Sequence, residues 1–454
     1  MLTATAQGMP REAVLHATAA RRETLLEYQE VPTVVRWSFI GFAAVIPFEA
    51  ATIGTSLSVS KLSGVFFIAC YLFFYNPLSG KRRLPSGSAP LVWFLVYFSV
   101  LLANGPFLDS FYLRQWITIS LTLAQLLVLF WISSSLLTIE ILRRRVLLAF
   151  AFGAVLCALA TLLNMPGFAT VIESRVGERL TSMDSNPNYV AFAMVIAAVI
   201  LIGTVLDGTL RNLWSKAFLA SLVLPLLAVA VRTGSRTGVA AFLIGFAICL
   251  FSSRQSGHSQ SGHRLMAVLL FISVSGAMTY LVVRYPTVLS RFEEASAGNL
   301  AGRQNIIPVA LEMIAERPIL GWQPAVYWEE LGRRTGRLFG TRDAHNLILH
   351  LMLEAGVIGA APFLLGVVLC VRGAWSARAQ VGILPFALLM TTLSSNLSLT
   401  YLARKPQWLV FALAVAAASA TTRKIIAPSA YIVRRPLRRA PVERRAAVSF
   451  QRPV

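Results

Sequence analysis

Apolar runs of about 20 residues recur along almost the whole chain, and they restrict its fold more than any other feature. A helix that crosses a bilayer needs about 20 predominantly apolar residues, and windows of that length predict about twelve spans. The predicted spans lie near residues 33–53, 61–76, 89–108, 115–138, 146–165, 187–206, 215–232, 235–252, 265–283, 345–371, 381–402 and 407–421. The sequence therefore predicts an all-α, polytopic integral membrane protein whose membrane domain covers residues 33–421.

The composition excludes a water-soluble enzyme of several domains. Of the 454 residues, 56% are hydrophobic and 13% are charged, whereas soluble domains carry about 25% charged residues. The net charge of +21 does not indicate nucleic-acid binding, because no basic run is interleaved with aromatic residues. The four cysteines lie inside apolar runs and predict neither a disulfide framework nor a metal site.

The distribution of lysine and arginine predicts the orientation of the chain. These residues follow the even-numbered spans, as at 81–83 and 143–145, and they dominate the basic tail 422–454. Because positive residues concentrate in cytoplasmic loops, both termini are predicted to be cytoplasmic, including the extension 1–32. The loop 166–186 and the large loop 284–344, between spans nine and ten, then lie on the outer face. The tail is expected to lock this topology or to contact anionic membrane lipids.

Two arginines at predicted helix starts on the outer face indicate an anionic ligand. Ser235 is a good N-cap for the eighth span, which places Arg236 in the first turn, where the helix dipole disfavours a cation. Arg303 opens an amphipathic stretch, 301–314, with a kink expected near Pro308. A guanidinium and free backbone N–H groups at such a start can hold phosphate oxygens together. The alternative for Arg236 is snorkelling to lipid headgroups.

A histidine lies where the tenth predicted span begins, in the run Asp343-Ala344-His345-Asn346. If Asp343 is the N-cap, His345 lies in the first turn, where the helix N-terminus favours neutral imidazole. Neutral imidazole can accept a proton from a hydroxyl, although a lone histidine also serves structural roles. Glu354 would lie on the opposite helix face, about 13.5 Å away. We therefore expect Glu354 to hydrogen bond to a neighbouring span.

Several further patterns have structural interpretations. Asn186 is predicted to cap the sixth span, with Pro187 as its first residue. Gly356 and Gly359 are expected to allow close helix packing. The outer loops contain few aspartates and no cluster with metal-ligand spacing, so we expect arginine rather than a divalent cation to neutralise charge, and no cofactor. The sequence contains no P-loop and no nucleotide fingerprint.

The order of these motifs along the chain resembles the O-antigen ligase and polymerase superfamily of bacterial membrane glycosyltransferases. The resemblance covers about 170 to 405. It rests on Arg175-x-Gly177, Asn186-Pro187-Asn188, Ser235-Arg236-x-Gly238, Gly302-Arg303, Pro318-x-x-Gly321, His345-Asn346 and Glu354-x-Gly356-x-x-Gly359. The first five spans match only in number and hydropathy.

The resemblance implies a metal-independent, inverting transfer of a glycan at the periplasmic face of the bacterial inner membrane. The donor is a glycan on an undecaprenyl diphosphate carrier, and the acceptor is a sugar hydroxyl. In ligases that sugar belongs to a lipid A–core, and in polymerases it ends another lipid-linked unit. Related members build exopolysaccharides.

The resemblance also assigns roles to residues of this chain. The diphosphate is bound by Arg236, Arg303 and Arg175. His345 is the catalytic residue, acting on the acceptor hydroxyl as a base or an orienting group. Asn346 and Asn188 position the substrate. Structural support comes from Glu354, Gly356 and Gly359.

Two other functions stay open at this stage. A polysaccharide or lipid-linked sugar transporter, or a flippase, suits twelve spans and basic residues, but no repeat relates the two halves and the large loop falls between spans nine and ten. The other is a non-catalytic component of an envelope polysaccharide assembly. The sequence does not distinguish a ligase from a polymerase or an exopolysaccharide enzyme, because all three must bind the same diphosphate group.

Overall fold

A computed structural model describes residues 24–49, 52–53, 57–75, 88–174, 177–207, 210, 212–252, 260–298, 302–336 and 340–432. Among these residues, seven helices are long and apolar enough to cross a membrane, or eight if the bent pair Thr24–Glu30 and Thr33–Phe48 counts as one span. Two more apolar helices, Val59–Phe74 and Arg236–Phe251, are shorter. The all-α, polytopic membrane fold is therefore confirmed. The count of twelve spans and the boundaries 1–32, 33–421 and 422–454 stay predictions.

The helices are numbered in chain order. Those of the first part are α1 Thr24–Glu30, α2 Thr33–Val45, α3 Val59–Phe74, α4 Ser88–Asn104, α5 Ser110–Leu136, α6 Glu140–Leu162, α7 Pro187–Leu206, α8 Leu213–Ser221 and α9 Val223–Arg232. Those of the second part are α10 Arg236–Ser252, α11 Gln260–Arg284, α12 Thr287–Ser296, α13 Arg303–Glu316, α14 Pro324–Arg334, α15 Leu347–Ser376, α16 Arg378–Val381, α17 Leu384–Asn396 and α18 Lys405–Ile432.

Two short antiparallel hairpins accompany the helices. One pairs β1 Thr52–Ile53 with β2 Leu57–Ser58, and the other pairs β3 Ala169–Ser174 with β4 Gly177–Ser182. The second hairpin lies in the segment 166–186, which the sequence predicted only as a connection between spans. Its register pairs Ala169 with Ser182 at the end nearest the bundle, so it gives β4 a fixed position against α7 and α9.

Helix α7 forms the centre of the bundle because nearly all of its residues are apolar. From Val190 to Leu206 almost every residue is buried, and α6, α9, α10 and α17 pack around it. The side-chain oxygen of Asn186 accepts a hydrogen bond from the Asn188 N–H at 2.9 Å, and Pro187 is the first helical residue. The predicted start of this helix is confirmed.

The large loop folds into helices α12, α13 and α14 and docks on the bundle. Ile306 and Met313 of α13 and Tyr327 and Leu331 of α14 are buried in one small hydrophobic cluster with Leu353 of α15. The amphipathic stretch predicted over 301–314 therefore packs its apolar face on protein. Because Thr287 of α12 donates to the Glu178 carbonyl of β4 at 3.3 Å, the loop and the second hairpin lie at the same end of the bundle.

Helix α15 is broken at Gly356, which adopts φ 56° and ψ −163°, a conformation that is essentially restricted to glycine. The segment 318–323 fills the break with backbone hydrogen bonds. The N–H groups of residues 322 and 323 donate to the carbonyls of residues 353 and 354 at 2.7 and 3.1 Å, and the N–H of residue 357 donates to the carbonyl of residue 318 at 2.9 Å. The backbone groups freed by the break are thus paired, as an apolar environment requires.

The structure shortens the predicted span 381–402. Helix α17 ends at Asn396, and residues 397–404 are irregular backbone before α18. Buried Asn396 stabilises this turn, since its amide donates to Gln407 Oε1 at 2.8 Å and its side-chain oxygen accepts from the Tyr401 N–H at 3.2 Å. Hydropathy alone does not distinguish this turn from continuing helix, because most of its residues are apolar.

Candidate functional site

Arg236 lies at the start of α10, as the sequence predicts. The Ser235 hydroxyl accepts a hydrogen bond from the Gly238 N–H at 3.2 Å, which confirms Ser235 as the N-cap. Arg236 is half-buried, and its Nη1 donates to the Arg291 carbonyl of α12 at 2.5 Å. The side chain therefore lies against protein in the described structure, between α10 and the large loop.

Arg303 is the first residue of α13 and reaches the turn between α17 and α18. Gly302 precedes it with φ 82°, so the chain reverses directly before the helix. Arg303 Nη2 donates to the Ser398 carbonyl at 2.7 Å, and the Ser398 hydroxyl donates to the Thr237 hydroxyl of α10. Residue 398 therefore joins the start of α13 to the start of α10 and brings Arg303 close to Arg236.

Two further arginines, which the sequence did not single out, complete a cationic cluster. Burial lowers the pKa of Arg179 to about 10, helped by the charges of Arg291 and Arg236. Burial and the charge of Arg236 also lower the pKa of Arg291. The same causes, with the charge of Arg291, lower the pKa of Arg303. We call Arg179, Arg236, Arg291 and Arg303 the arginine cluster. Because the four guanidinium groups repel one another and are partly removed from water, binding of an anion among them would be favourable.

Arg179 is held in place by three separate segments. It projects from β4, its Nε donates to the Thr233 carbonyl at 2.8 Å, and its Nη2 donates to the Asn188 side chain at 3.2 Å. The Tyr401 hydroxyl donates to the Asn188 carbonyl at 3.2 Å. Asn188, which the sequence assigned to substrate positioning, thus orients a guanidinium in this structure. Arg175, the third predicted diphosphate ligand, lies outside the described residues.

The start of α15 differs from the prediction. Asn346, not Asp343, is the N-cap, and its side-chain oxygen accepts from the N–H groups of Ile348 and Leu349 at 2.9 and 3.2 Å. His345 therefore lies before the helix, with a left-handed φ of 53°, and not in its first turn. Aspartate and asparagine are equally good N-caps. The Asp343 carboxylate lies instead beside the imidazoles of His345 and His350.

His345 and Asn346 lie beside the arginine cluster. The Asn346 amide donates to the Leu397 carbonyl at 3.3 Å, and Arg303 donates to the next carbonyl along the chain, at Ser398. His345 is about one-third exposed, and its Nδ1 lies 3.5 Å from Asp343 Oδ2. The imidazole of His345 and the guanidinium groups of the arginine cluster therefore lie in one region, at the end of the bundle where the large loop docks.

Glu354 hydrogen bonds to a neighbouring span, as predicted. It is 1% exposed, and the Tyr97 hydroxyl of α4 donates to it. Gly359 lies against the same helix, since a Cβ there would contact Tyr97 and Val100 at 3.5 and 3.6 Å. Gly356 serves a different purpose from the predicted one, because a Cβ there would lie 2.2 Å from the carbonyl oxygen of residue 319 in the large loop.

A cavity of about 470 Å³, including its open mouth, lies between the start of α7 and the turn after α17, and no residue of the arginine cluster lines it. Its lining includes Tyr189, Tyr401, Arg404 and Glu49, and Tyr401 also contacts Asn188, the partner of Arg179. Arg404 lies over the Tyr189 ring at 3.7 Å. No group of three or more His, Cys, Asp or Glu side chains with a geometry that could hold a metal ion was found within the described ranges.

These features define a polytopic membrane protein with a partly buried cationic site beside an imidazole at one end of its bundle. The family model described as O-antigen ligase matches residues 220–364, which include Arg236, Arg291, Arg303 and His345. The resemblance to the O-antigen ligase and polymerase superfamily is thereby confirmed over that part of the chain. Arg179 lies outside the matched residues. No curated protein matches the chain.

Proposed function

We propose that the chain transfers a glycan from an undecaprenyl diphosphate carrier to an acceptor sugar hydroxyl, by a metal-independent, inverting reaction. The observation that carries this proposal is the arginine cluster, which joins β4, α10, α12 and α13 next to His345. Four guanidinium groups in a partly buried site suit a ligand with several negative charges, and a diphosphate offers oxygens for bidentate contacts. The match to the O-antigen ligase family model supports the same reaction class.

The reaction requires three changes at the site. The acceptor oxygen forms a bond to the anomeric carbon of the donor sugar, and the bond from that carbon to the diphosphate breaks, leaving its electron pair on the diphosphate oxygen. The arginine cluster stabilises the charge that develops there. His345 takes the proton of the acceptor hydroxyl. Asn346, adjacent to His345, positions the sugar, while Asn188 acts through Arg179.

The site is proposed to lie on the periplasmic face of the inner membrane. The supporting observation is the position of the large loop and the second hairpin at one end of the bundle, together with the distribution of lysine and arginine in the sequence. Both termini are then cytoplasmic, and membrane lipids surround the apolar spans. The large loop, docked on α15, would cover the bound carrier headgroup.

Glycan analysis of a deletion strain tests the function and separates its variants. Lipid A–core without long chains, with long chains retained on the carrier, would indicate a ligase. A carrier bearing single units only would indicate a polymerase, and loss of a secreted polymer with normal lipopolysaccharide would indicate an exopolysaccharide enzyme. Complementation with His345→Ala should restore membrane insertion but lower transfer by at least about 100-fold. Unchanged glycans in the deletion strain would refute the proposal.

A further inference from the structure

A second set of ionisable side chains lies behind His345, at the outer end of α15. His350 is 5% exposed, Glu354 is 1% exposed, and Tyr327 and Tyr97 are also buried. Asp343 borders this set and is partly exposed. Burying charged groups costs free energy unless they are paired, and the proposed transfer step does not itself use His350 or the two tyrosines.

The His350 ring lies between two carboxylates. Its Nδ1 is 3.3 Å from Asp343 Oδ1, and its Nε2 is 3.5 Å from Glu354 Oε2. His350 and Glu354 are four residues apart and share one face of α15. An imidazole donates from both nitrogens only when both carry protons, so the arrangement suits a cation between two anions.

Two tyrosines complete the hydrogen bonding of this set. The Tyr327 hydroxyl of α14 contacts His350 Nδ1 and donates to Asp343 Oδ1 at 3.5 Å. The Tyr97 hydroxyl of α4 donates to Glu354. Tyr327 thus contacts His350 directly, whereas Tyr97 reaches it only through Glu354. Asp343 also acts electrostatically on the phenol of Tyr189 in α7, to which Arg404 hydrogen bonds.

Asp343 is shared between two imidazoles. Its Oδ1 faces His350, and its Oδ2 lies 3.5 Å from His345 Nδ1. Burial alone would raise the pKa of Asp343, but the hydrogen bond and charge of His350, followed by the charge of His345, lower it overall. Asp343 is therefore ionised at neutral pH. His345 has a left-handed backbone between Asp343 and the helix, and both imidazoles lie within 3.5 Å of the one carboxylate.

We propose that Asp343 and His350 are positioning residues for the transfer step. His350, held between Asp343 and Glu354, keeps the Asp343 carboxylate ionised and directed at His345 Nδ1. When His345 takes the acceptor proton at Nε2, the proton on Nδ1 faces Asp343, which stabilises the imidazolium ion. No proton leaves Asp343 or His350 in this step. The inference rests on the proposed function, and it adds residues that the resemblance did not assign.

The test compares Asp343→Asn and His350→Gln with Tyr97→Phe, which removes one hydroxyl at the far end of the set. Transfer from the endogenous lipid-linked glycan is measured in membranes of a deletion strain that express each full-length variant, from about pH 5.5 to 9. Asp343→Asn and His350→Gln should lower kcat by about 100-fold, with KM changed less than about threefold. The acid limb of the Asp343→Asn profile should move to lower pH, because the His345 imidazolium loses its counter-charge. Tyr97→Phe should change kcat by less than about tenfold.

Asp343→Glu supplies a comparison in which the buried histidine itself is unchanged. It keeps the charge and moves the carboxylate, so its acid limb should match the wild-type limb although kcat falls. Matching profiles for Asp343→Asn and Asp343→Glu would overturn the proposal, as would a His350→Gln variant that folds and retains the wild-type rate.

Binding of farnesyl diphosphate to the purified full-length protein distinguishes a failure of the proposed function from a failure of the positioning roles of Asp343 and His350. Wild-type protein, Asp343→Asn and His350→Gln should bind this probe equally, and Arg236→Ala should bind it at least about tenfold more weakly. Absence of binding by the wild-type protein would count against the proposed function. Loss of binding in the two positioning variants alone, with binding by the wild type, would count against the inference.

Discussion

The residues of the candidate site differ in how readily the sequence identifies them. Arg236 and Arg303 attract notice because each occupies a helix start, where a cation is unfavourable. Arg179 does not, because its partners Thr233 and Asn188 belong to other segments and an arginine in an outer loop usually faces solvent. Arg291 is followed by Glu293 and Glu294, an arrangement that is typical of local ion pairing and gives no indication of a ligand site. Burial in β4 increases along the strand from Gly177 to Ser182, and no periodic pattern in the sequence marks Arg179 as partly buried.

Replacing Arg179 tests whether the cluster acts as a unit. Arg179→Ala should weaken farnesyl diphosphate binding by at least about tenfold, since hydrogen bonds of charged groups contribute about 1.5–3 kcal/mol. Arg179→Lys should recover only part of this, because lysine cannot reproduce both contacts of the guanidinium. Arg333 is a matched control, since it is exposed and pairs with Glu330 on its own helix. Arg333→Ala should leave binding unchanged, and an equal loss in both alanine variants would contradict a specific cluster.

The charge of the cluster predicts a dependence of stability on pH and on anions. Burial and neighbouring cations lower the pKa of Arg179 to about 10, below its value in the unfolded chain. The protonated group therefore destabilises the fold at neutral pH, and this contribution is relieved as pH rises above about 10. Inorganic pyrophosphate at pH 7 should relieve the same repulsion and raise the Tm. The measurement is thermal unfolding at constant ionic strength, and a shift no larger than that from chloride would contradict the prediction.

At the scale of elements, hydropathy predicted where most helices lie but not where they break. The break in α15 and the turn after α17 lie in apolar sequence, and both are specified by hydrogen bonds to distant segments. In the sequence, the motifs Pro318-x-x-Gly321 and Glu354-x-Gly356 are separated by more than 30 residues. Their relation emerges only in three dimensions, where Gly321 and Gly356 approach each other's backbone so closely that a Cβ on either would lie under 3 Å from a neighbouring atom. No local pattern encodes that approach.

Gly356→Ala tests the importance of this contact. The backbone conformation alone should cost about 1–3 kcal/mol in an alanine, and the carbonyl 2.2 Å from the new Cβ should displace the segment 318–323. We expect a lower Tm and reduced transfer. Gly276→Ala in α11 is the control, since a Cβ there meets nothing within 4 Å and should stabilise the helix by about 0.5–1 kcal/mol. Equal Tm values for the two variants would show that the contact does not support the fold.

At the scale of the whole molecule, the distribution of lysine and arginine predicts the orientation of the bundle and hence the side of the membrane on which the candidate site lies. The all-α membrane fold followed from composition and hydropathy alone. The sequence did not predict that the large loop, the second hairpin and the turn after α17 lie together. Their proximity depends on contacts between residues as far apart as Arg303 and Ser398. The sequence therefore singled out Arg236, Arg303 and His345, and the structure shows how these residues are arranged around the turn after α17.

Accessibility to a membrane-impermeant maleimide tests this orientation. The native cysteines, Cys70, Cys157, Cys249 and Cys370, are buried, so a new surface thiol can be detected above them. Gly298→Cys, after α12, should be labelled in intact spheroplasts. Gln380→Cys, in α16, should be labelled only after permeabilisation. The reverse pattern would place the arginine cluster on the cytoplasmic side and contradict the proposed periplasmic reaction.

The most direct test of the central claim is the affinity of the purified protein for farnesyl diphosphate, with farnesol as the uncharged comparison. We expect saturable binding of the diphosphate by the wild-type protein, little binding of farnesol, and at least about tenfold weaker diphosphate binding in Arg236→Ala and Arg303→Ala. His345→Ala should bind as the wild type does. Equal affinity of the arginine variants and the wild-type protein would contradict the claim that this cluster holds the carrier diphosphate.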